Sequence, residues 1–242
     1  MSDLCRDRRG TTVAFVWVVT AASKMGETVG VIFDLDGVLT DTADAHADAW
    51  QMLAKAHSFS VTQTQLDAIR GRSRADSLKA LLDERVVEDA EFARMLAEKN
   101  GYYTEQIRLL TPRDVLPGAH EAVRTVKQRG ARVAVGSASK NARAVLDALG
   151  LTASLDAIVD GNDVERPKPD PEVFLLAAKR LDVPPRKCVV VEDADSGVAA
   201  AKAANMLTIG VGAHLQTDFT DLHAATLSDI DFDDVIDLLE KR

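Results

Sequence analysis

The chain has 242 residues, of which 46% are hydrophobic, 28% charged and only 5% aromatic, enough apolar material for one large domain or for a domain carrying a smaller insert. Its net charge of −9 argues against nucleic acid or an anionic membrane as the main partner, but not against a small anionic substrate held by a local group of cations. Cys5 and Cys188 are the two cysteines and form no disulfide framework, which fits a reducing cytoplasm.

Residues 1–24 differ from the rest. Arg6, Arg8 and Arg9 precede the short apolar run "TTVAFVWVVTAAS", a pattern shared by a signal peptide and by an upstream extension ahead of a start at Met25. The run is too short to span a bilayer. Its role stays open between these two readings.

From Val29 onward, short β-branched runs alternate with helical periodicity. The first predicted strand is Val29–Asp34. From residue 42 to about residue 110 only helical patterns occur: Ala43–His57, Thr62–Ile69, Arg74–Leu82 and Asp89–Leu110. The two prolines of "TPRDVLPGA", Thr111–Ala119, make a return hinge. Strand–helix alternation then resumes, with strands at Arg132–Gly136, Ala157–Val159, Lys187–Glu192 and Leu207–Val211. Helices are predicted at Gly118–Arg129, Asn141–Leu149, Pro171–Leu181 and Ser196–Ala204, with Gly130 and Gly150 at C-cap positions. The acidic tail "SDIDFDDVIDLLEKR" reads as a final amphipathic helix with solvated carboxylates.

This order predicts an α/β fold, a Rossmann-like parallel sheet with helices on both faces and an inserted all-helical cap. The expected division is a core of residues 25–41 and 115–242 and a cap of residues 42–114. In such a sheet, ligands gather at the carboxyl ends of the strands. Those ends carry Asp34 and Asp36, then Ser137, then Glu192 and Asp193, with Lys168 arriving after the third strand. Four acids in one pocket call for a cation. Hard oxygen ligands too few to close a cage point to Mg²⁺, which keeps waters and accepts substrate phosphate. Carboxylate, Mg²⁺ and lysine together suit phosphoryl transfer through an aspartyl-phosphate. The second aspartate is then within reach to act as general acid/base, with a pKa raised by the neighbouring negative charge.

Four segments in order, "DLDGVLTDT", "GSAS", "RPKPDP" and "VVVEDADSG", resemble the four motifs of the haloacid dehalogenase superfamily across the whole chain after Met25. The resemblance implies Asp34 as nucleophile, Asp36 as acid/base, and Ser137 and Lys168 on phosphate. It implies Mg²⁺ on Asp34, the Asp36 carbonyl, Glu192 and Asp193.

The predicted cap narrows the likeness. Thr42, His46 and Trp50 recur at i, i+4 and i+8 on one helix face, "RGRSRADSL" supplies Arg70, Arg72, Ser73 and Arg74, and "GSASKN" adds Ala138, Ser139, Lys140 and Asn141. This set resembles the β-phosphoglucomutase family. It implies a distal phosphate on Arg74, Ser139, Lys140 and Asn141, and a His46 that links nucleophile, acid/base and cap. Trp50, Ser73, Lys99 and Asn100 would line a sugar site, and Thr42 is placed among the substrate contacts.

Plainer roles stand beside these. Trp50 also serves as core, Lys140 and Asn141 also start a helix, and Lys99 and Asn100 also mark a bend before Gly101. Arg70 and Arg72 read as solvated charges. Where the family commonly has a small apolar residue this chain has Arg72, and Ala194 and Asp195 replace a serine and an uncharged residue. The expectation is a cytoplasmic, monomeric, Mg²⁺-dependent phosphoglucomutase acting on small sugar phosphates. A sugar-phosphate phosphatase is the alternative, and a non-catalytic phosphosugar-binding protein stands behind both.

Overall fold

The structure is a computed structural model that describes residues 28–212, 215 and 220–242. The expectations for residues 1–24, and the opening of the core at Met25, lie outside those residues.

The sheet begins with β1, Gly30–Phe33, a run of four buried residues. β2 (Arg132–Gly136), β3 (Ala157–Val159), β4 (Cys188–Glu192), β5 (Leu207–Val211) and β6 (Leu222–Ala224) complete a six-stranded sheet in the order β3-β2-β1-β4-β5-β6. Every pair is parallel. The strand order reverses at β1: the chain moves first to β2 and β3, then crosses to β4 on the other side. That crevice is where an open α/β sheet takes its ligand.

Alternate residues of each strand feed different cores, as a period of two requires. Val31, Phe33, Val133, Val135, Val189 and Val191 pack on one face. That face is covered by α5 (Ala119–Gln128), α6 (Ala142–Ala148) and α9 (Phe232–Glu240), through residues such as Val123, Val145 and Ile236. Ile32, Ala134 and Val190 point the other way, onto Phe174 and Ala177 of α7 (Glu172–Leu181) and Ala200 of α8 (Asp195–Ala203). Cys188 belongs to this second core, and burial pushes its thiol up to about 12, so it behaves as a small hydrophobe.

Between β1 and α5 the chain forms four helices: α1 (Ala43–Ala56), α2 (Gln63–Ala68), α3 (Arg74–Leu82) and α4 (Asp89–Ile107). They enclose a core of their own around Trp50, Leu53, Leu66, Leu78 and Met95. This is the predicted helical cap. The two chains that join it to the sheet pair with each other. Thr40 and Val115 form an antiparallel bridge, Leu116 N–H donates to Leu39 O at 2.9 Å, and Thr40 Oγ1 donates to Asp114 O at 2.8 Å.

Several expected boundaries shift. Lys187 ends a 3-10 turn, Pro185–Lys187, instead of opening β4, and its ammonium donates to Leu239 O and Glu240 O at the end of α9, where a cation favours the helix dipole. The tail divides into a 3-10 turn at Leu227–Asp229 and then α9. β6 was not expected at all. It is three residues long, half exposed and lacks an apolar run. Gly130 and Gly150 adopt φ of +76° and +70°, as their C-cap reading requires.

Candidate active site

The register decides what meets at the crevice. Phe33 lies opposite both Val135 and Val191, so Asp34 is level with Glu192, and Ser137 follows one residue beyond. Asp34 is still tied to the sheet, its N–H donating to Val191 O at 2.9 Å. The chain then turns sharply, with Gly37 at φ +86° donating to Thr40 O at 2.7 Å. Glycine is required here for two reasons. The backbone is left-handed, and a β-carbon would run into the Asp193 carboxylate. The steric reason alone applies to Gly197 in α8, where a β-carbon would strike Glu192.

Lys168, 3% exposed, bridges two strands' worth of acid. Its Nζ donates to Asp34 Oδ1 at 2.5 Å and to Glu192 Oε1 at 2.6 Å. Two carboxylates keep this buried ammonium charged against the cost of its burial. The Asp193 and Ala194 N–H groups both donate to Glu192 Oε2 at 2.9 Å, so Glu192 is held rigidly.

Oxygens of Asp34, Glu192 and Asp193 lie within 4.8 Å of one another. Lys168 and the more distant, partly exposed Arg70 do not neutralise them together with Asp36. Burial, then the Glu192 and Asp34 charges, push Asp193 up to about 8, and burial also holds Asp34 above the usual carboxylate range. A donor set of hard, crowded oxygens whose charges raise one another's pKa fits a divalent cation such as Mg²⁺.

The Asp36 carboxylate accepts from Thr42 Oγ1. Its pKa is raised, and the chief cause is burial; the charge of Glu192 is a small contribution. This corrects the expectation that neighbouring negative charge would dominate. Thr42 is fully buried and absent from the cavity wall, so its hydroxyl lies on Asp36 and not in the cavity, where a substrate contact was expected.

His46 and Trp50 of α1 and Lys99 and Tyr103 of α4 form one packed unit within the cap. His46 stacks on Tyr103 with centroids 4.0 Å apart. Burial, then Lys99 and Arg74, lower the His46 pKa well below its ordinary value. The ring is therefore neutral at pH 7, and its Nδ1 accepts from Lys99 Nζ at 2.7 Å. Tyr103 was not singled out from the sequence, where nothing separates it from the neighbouring Tyr102. Its phenol, beside the Thr42 and Ser139 hydroxyls, makes no hydrogen bond of good geometry.

Asp34, Asp36, His46, Trp50, Ser73, Arg74, Lys99, Ser137, Ala138, Ser139, Lys140, Lys168 and Asp193 line one cavity of about 500 Å³. The serines of the loop after β2 are held in place: the Ser139 N–H donates to Ser137 Oγ at 3.0 Å, and the Asn141 N–H to Ser139 Oγ at 3.2 Å. Ser73 reaches the wall, but its hydroxyl is committed to capping α3, accepting from Asp76 N–H at 3.1 Å and donating to Asp76 Oδ2 at 2.6 Å. Asn100 and Asn141 stand off the wall and join cap to core through Asn141 Nδ2 and Asn100 Oδ1, 2.9 Å apart. Glu192 also lies behind the wall. Arg72 is exposed yet also borders the cavity. Arg70 is not a free solvated charge: its guanidinium lies 3.5 Å from Asp193 Oδ2.

The haloacid dehalogenase-like hydrolase family matches residues 29–205, a span that holds the whole acidic cluster and Lys168. The chain belongs to the haloacid dehalogenase-like hydrolase family. It is 38% identical over 186 residues to a β-phosphoglucomutase of Bacillus subtilis, covering 75% of this chain and 82% of that one. A phosphorylated carbohydrates phosphatase of Thermotoga maritima is 31% identical over 217 residues, covering 87% and 98%. The fold is that of a β-phosphoglucomutase crystal structure from Clostridium difficile, with a TM-score of 0.84 at 35% identity over 88% of this chain and 98% of that one.

Proposed function

We propose that the protein is a β-phosphoglucomutase, converting β-D-glucose 1-phosphate to glucose 6-phosphate through β-glucose 1,6-bisphosphate. The observation that carries this reading is the cavity's two groups of cations. Lys168 sits on the Asp34 carboxylate, while Arg74 from α3 and Lys140 from the loop after β2 line the same cavity. Hydrolysis of a monophosphate needs one such group; a bisphosphate needs two. Arg74 is suited to bidentate phosphate contact.

In this reading Asp34 attacks phosphorus and carries the phosphoryl group as an aspartyl-phosphate. Phospho-Asp34 donates to the C6 hydroxyl of glucose 1-phosphate while Asp36 takes the hydroxyl proton. The bisphosphate then turns over. Asp34 takes the C1 phosphoryl group, and Asp36 returns its proton to the C1 oxygen as glucose 6-phosphate leaves. Asp34, Glu192, Asp193 and the Asp36 carbonyl would hold Mg²⁺, which when bound offsets charge on the transferring phosphoryl oxygens. Ser137 and Lys168 take that phosphate; Arg74, Ser139 and Lys140 take the distal one, with Asn141 bracing their loop from behind. The cap of residues 42–114, brought down on the cavity, keeps water from the aspartyl-phosphate. The setting is the cytoplasm.

A sugar-phosphate phosphatase is the second reading, favoured by the Thermotoga maritima relative and its near-complete coverage. The two differ in product. Supplied with β-glucose 1-phosphate, Mg²⁺ and a trace of the bisphosphate, the mutase yields glucose 6-phosphate with little free phosphate. Release of phosphate in step with substrate loss would establish the phosphatase instead.

A further inference from the structure

Arg70 lies in the loop between α2 and α3, and its guanidinium sits 3.5 Å from Asp193 Oδ2, with side chains 30% and 13% exposed. The next residue, Gly71, has φ +68°, and a β-carbon on it would meet Ser196 Oγ at 2.7 Å and Ala194 Cβ at 2.8 Å. Two neighbouring cap residues thus dock on one stretch of core, residues 193–196, where β4 passes into α8. One contact is ionic, the other steric. The ionic one falls on a carboxylate of the acidic cluster.

We propose that Arg70 is a positioning residue that latches the cap onto the acidic cluster and competes with a divalent cation for Asp193. The proposal rests on reading Asp34, Glu192 and Asp193 as the cation site. A guanidinium near one ligand oxygen lowers the negative potential that draws a cation there. The coupling is reciprocal: by whatever factor Arg70 weakens the cation, the cation weakens the Arg70 latch. Cation-loaded protein without sugar therefore has a looser cap than cation-free protein. It stands ready to admit substrate, and closure then depends on the phosphate that reaches Arg74 and Lys140.

The test is calorimetric titration of the full chain with Mn²⁺, without sugar phosphate, in wild type, Arg70→Gln and Arg70→Lys. Arg70→Gln is expected to bind Mn²⁺ about threefold or more tighter, the scale of a partly exposed ion pair; Arg70→Lys, which keeps the charge, stays close to wild type. Hydrogen exchange adds a readout of the latch itself. In wild type, Mn²⁺ speeds exchange in residues 69–72; in Arg70→Gln, exchange there is already fast and Mn²⁺ changes it little. Arg70→Gln binding as wild type does, or more weakly, overturns the latch while leaving the cation site standing. Folded wild type that takes up no Mn²⁺ overturns the cation reading and the latch with it.

Discussion

Lys99 Nζ lies 2.7 Å from His46 Nδ1, between the rings of Trp50 and Tyr103, each 4.8 Å from the ammonium. Burial, aided by Arg74 and only partly opposed by Asp36, brings its pKa down to about 7. The sign of the consequence follows from linkage. Between about pH 7 and its ordinary pKa of 10.5, the unfolded chain holds a proton on Lys99 that the folded chain has released. Stability therefore rises with pH across that window, and the penalty of charging Lys99 is fully felt below it. Lys99→Met removes this slope. Melting curves should show the variant gaining on wild type at pH 6 relative to pH 9.5; a difference independent of pH would contradict the assignment.

Asp34→Asn should leave the fold intact and turnover undetectable, because an amide cannot serve as the phosphoryl acceptor. Asp36→Asn should slow turnover by about 10²–10⁴-fold, the usual range for a lost general acid/base. Steady-state rates paired with circular dichroism separate loss of chemistry from loss of fold, and Asp34→Asn with wild-type turnover would dismiss the nucleophile.

Arg74 and Lys140 bear on the second phosphate. Arg74→Ala should reduce isomerisation of glucose 1-phosphate far more than hydrolysis of a small phosphate ester with no distal group. Equal losses in the two assays would count against a distal phosphate site.

Gly37→Ala forces a β-carbon into a left-handed turn against Asp193. A cost of at least about 1 kcal/mol is expected, read as a lowered denaturant midpoint, with weakened cation binding since Asp193 must move aside. A neutral substitution would mean the turn relaxes freely.

Cation addition should raise the melting temperature, since a ligand at one hundred times its Kd stabilises by about 2.7 kcal/mol. Chelation should reverse the shift, and Asp193→Asn should shrink it. A shift of wild-type size in Asp193→Asn would place the cation elsewhere.

Most of the sheet was legible because β1, β2, β4 and β5 are apolar, largely buried runs, and because "DLDG", "GSAS" and "VVVED" place polar residues at once after three of them. β6 left no such mark; His223 and its neighbours form a half-exposed edge held by pairing to β5. The acidic cluster was readable for the same reason as the strands: Asp34 and Glu192 sit where register must join them. What the sequence concealed was direction. Thr42, Trp50 and His46 share a helix face, yet Thr42 turns to Asp36 while Trp50 and His46 turn to Lys99. Arg70 looked like any other loop arginine, because its partner, Asp193, lies far along the chain and only the tertiary fold brings them together. Tyr103 was hidden because its role is a stack, which no motif encodes.

The paired segments at Leu39–Thr40 and Val115–Leu116 set what the cap can become over evolutionary time. Entry and exit lie side by side, so the helices between them form a cassette whose removal or exchange leaves the two ends already joined. Closing a different insert across that gap costs little chain entropy and grows only slowly with length. The sheet can keep one phosphoryl-transfer chemistry while successive cassettes alter which molecules are allowed to reach it.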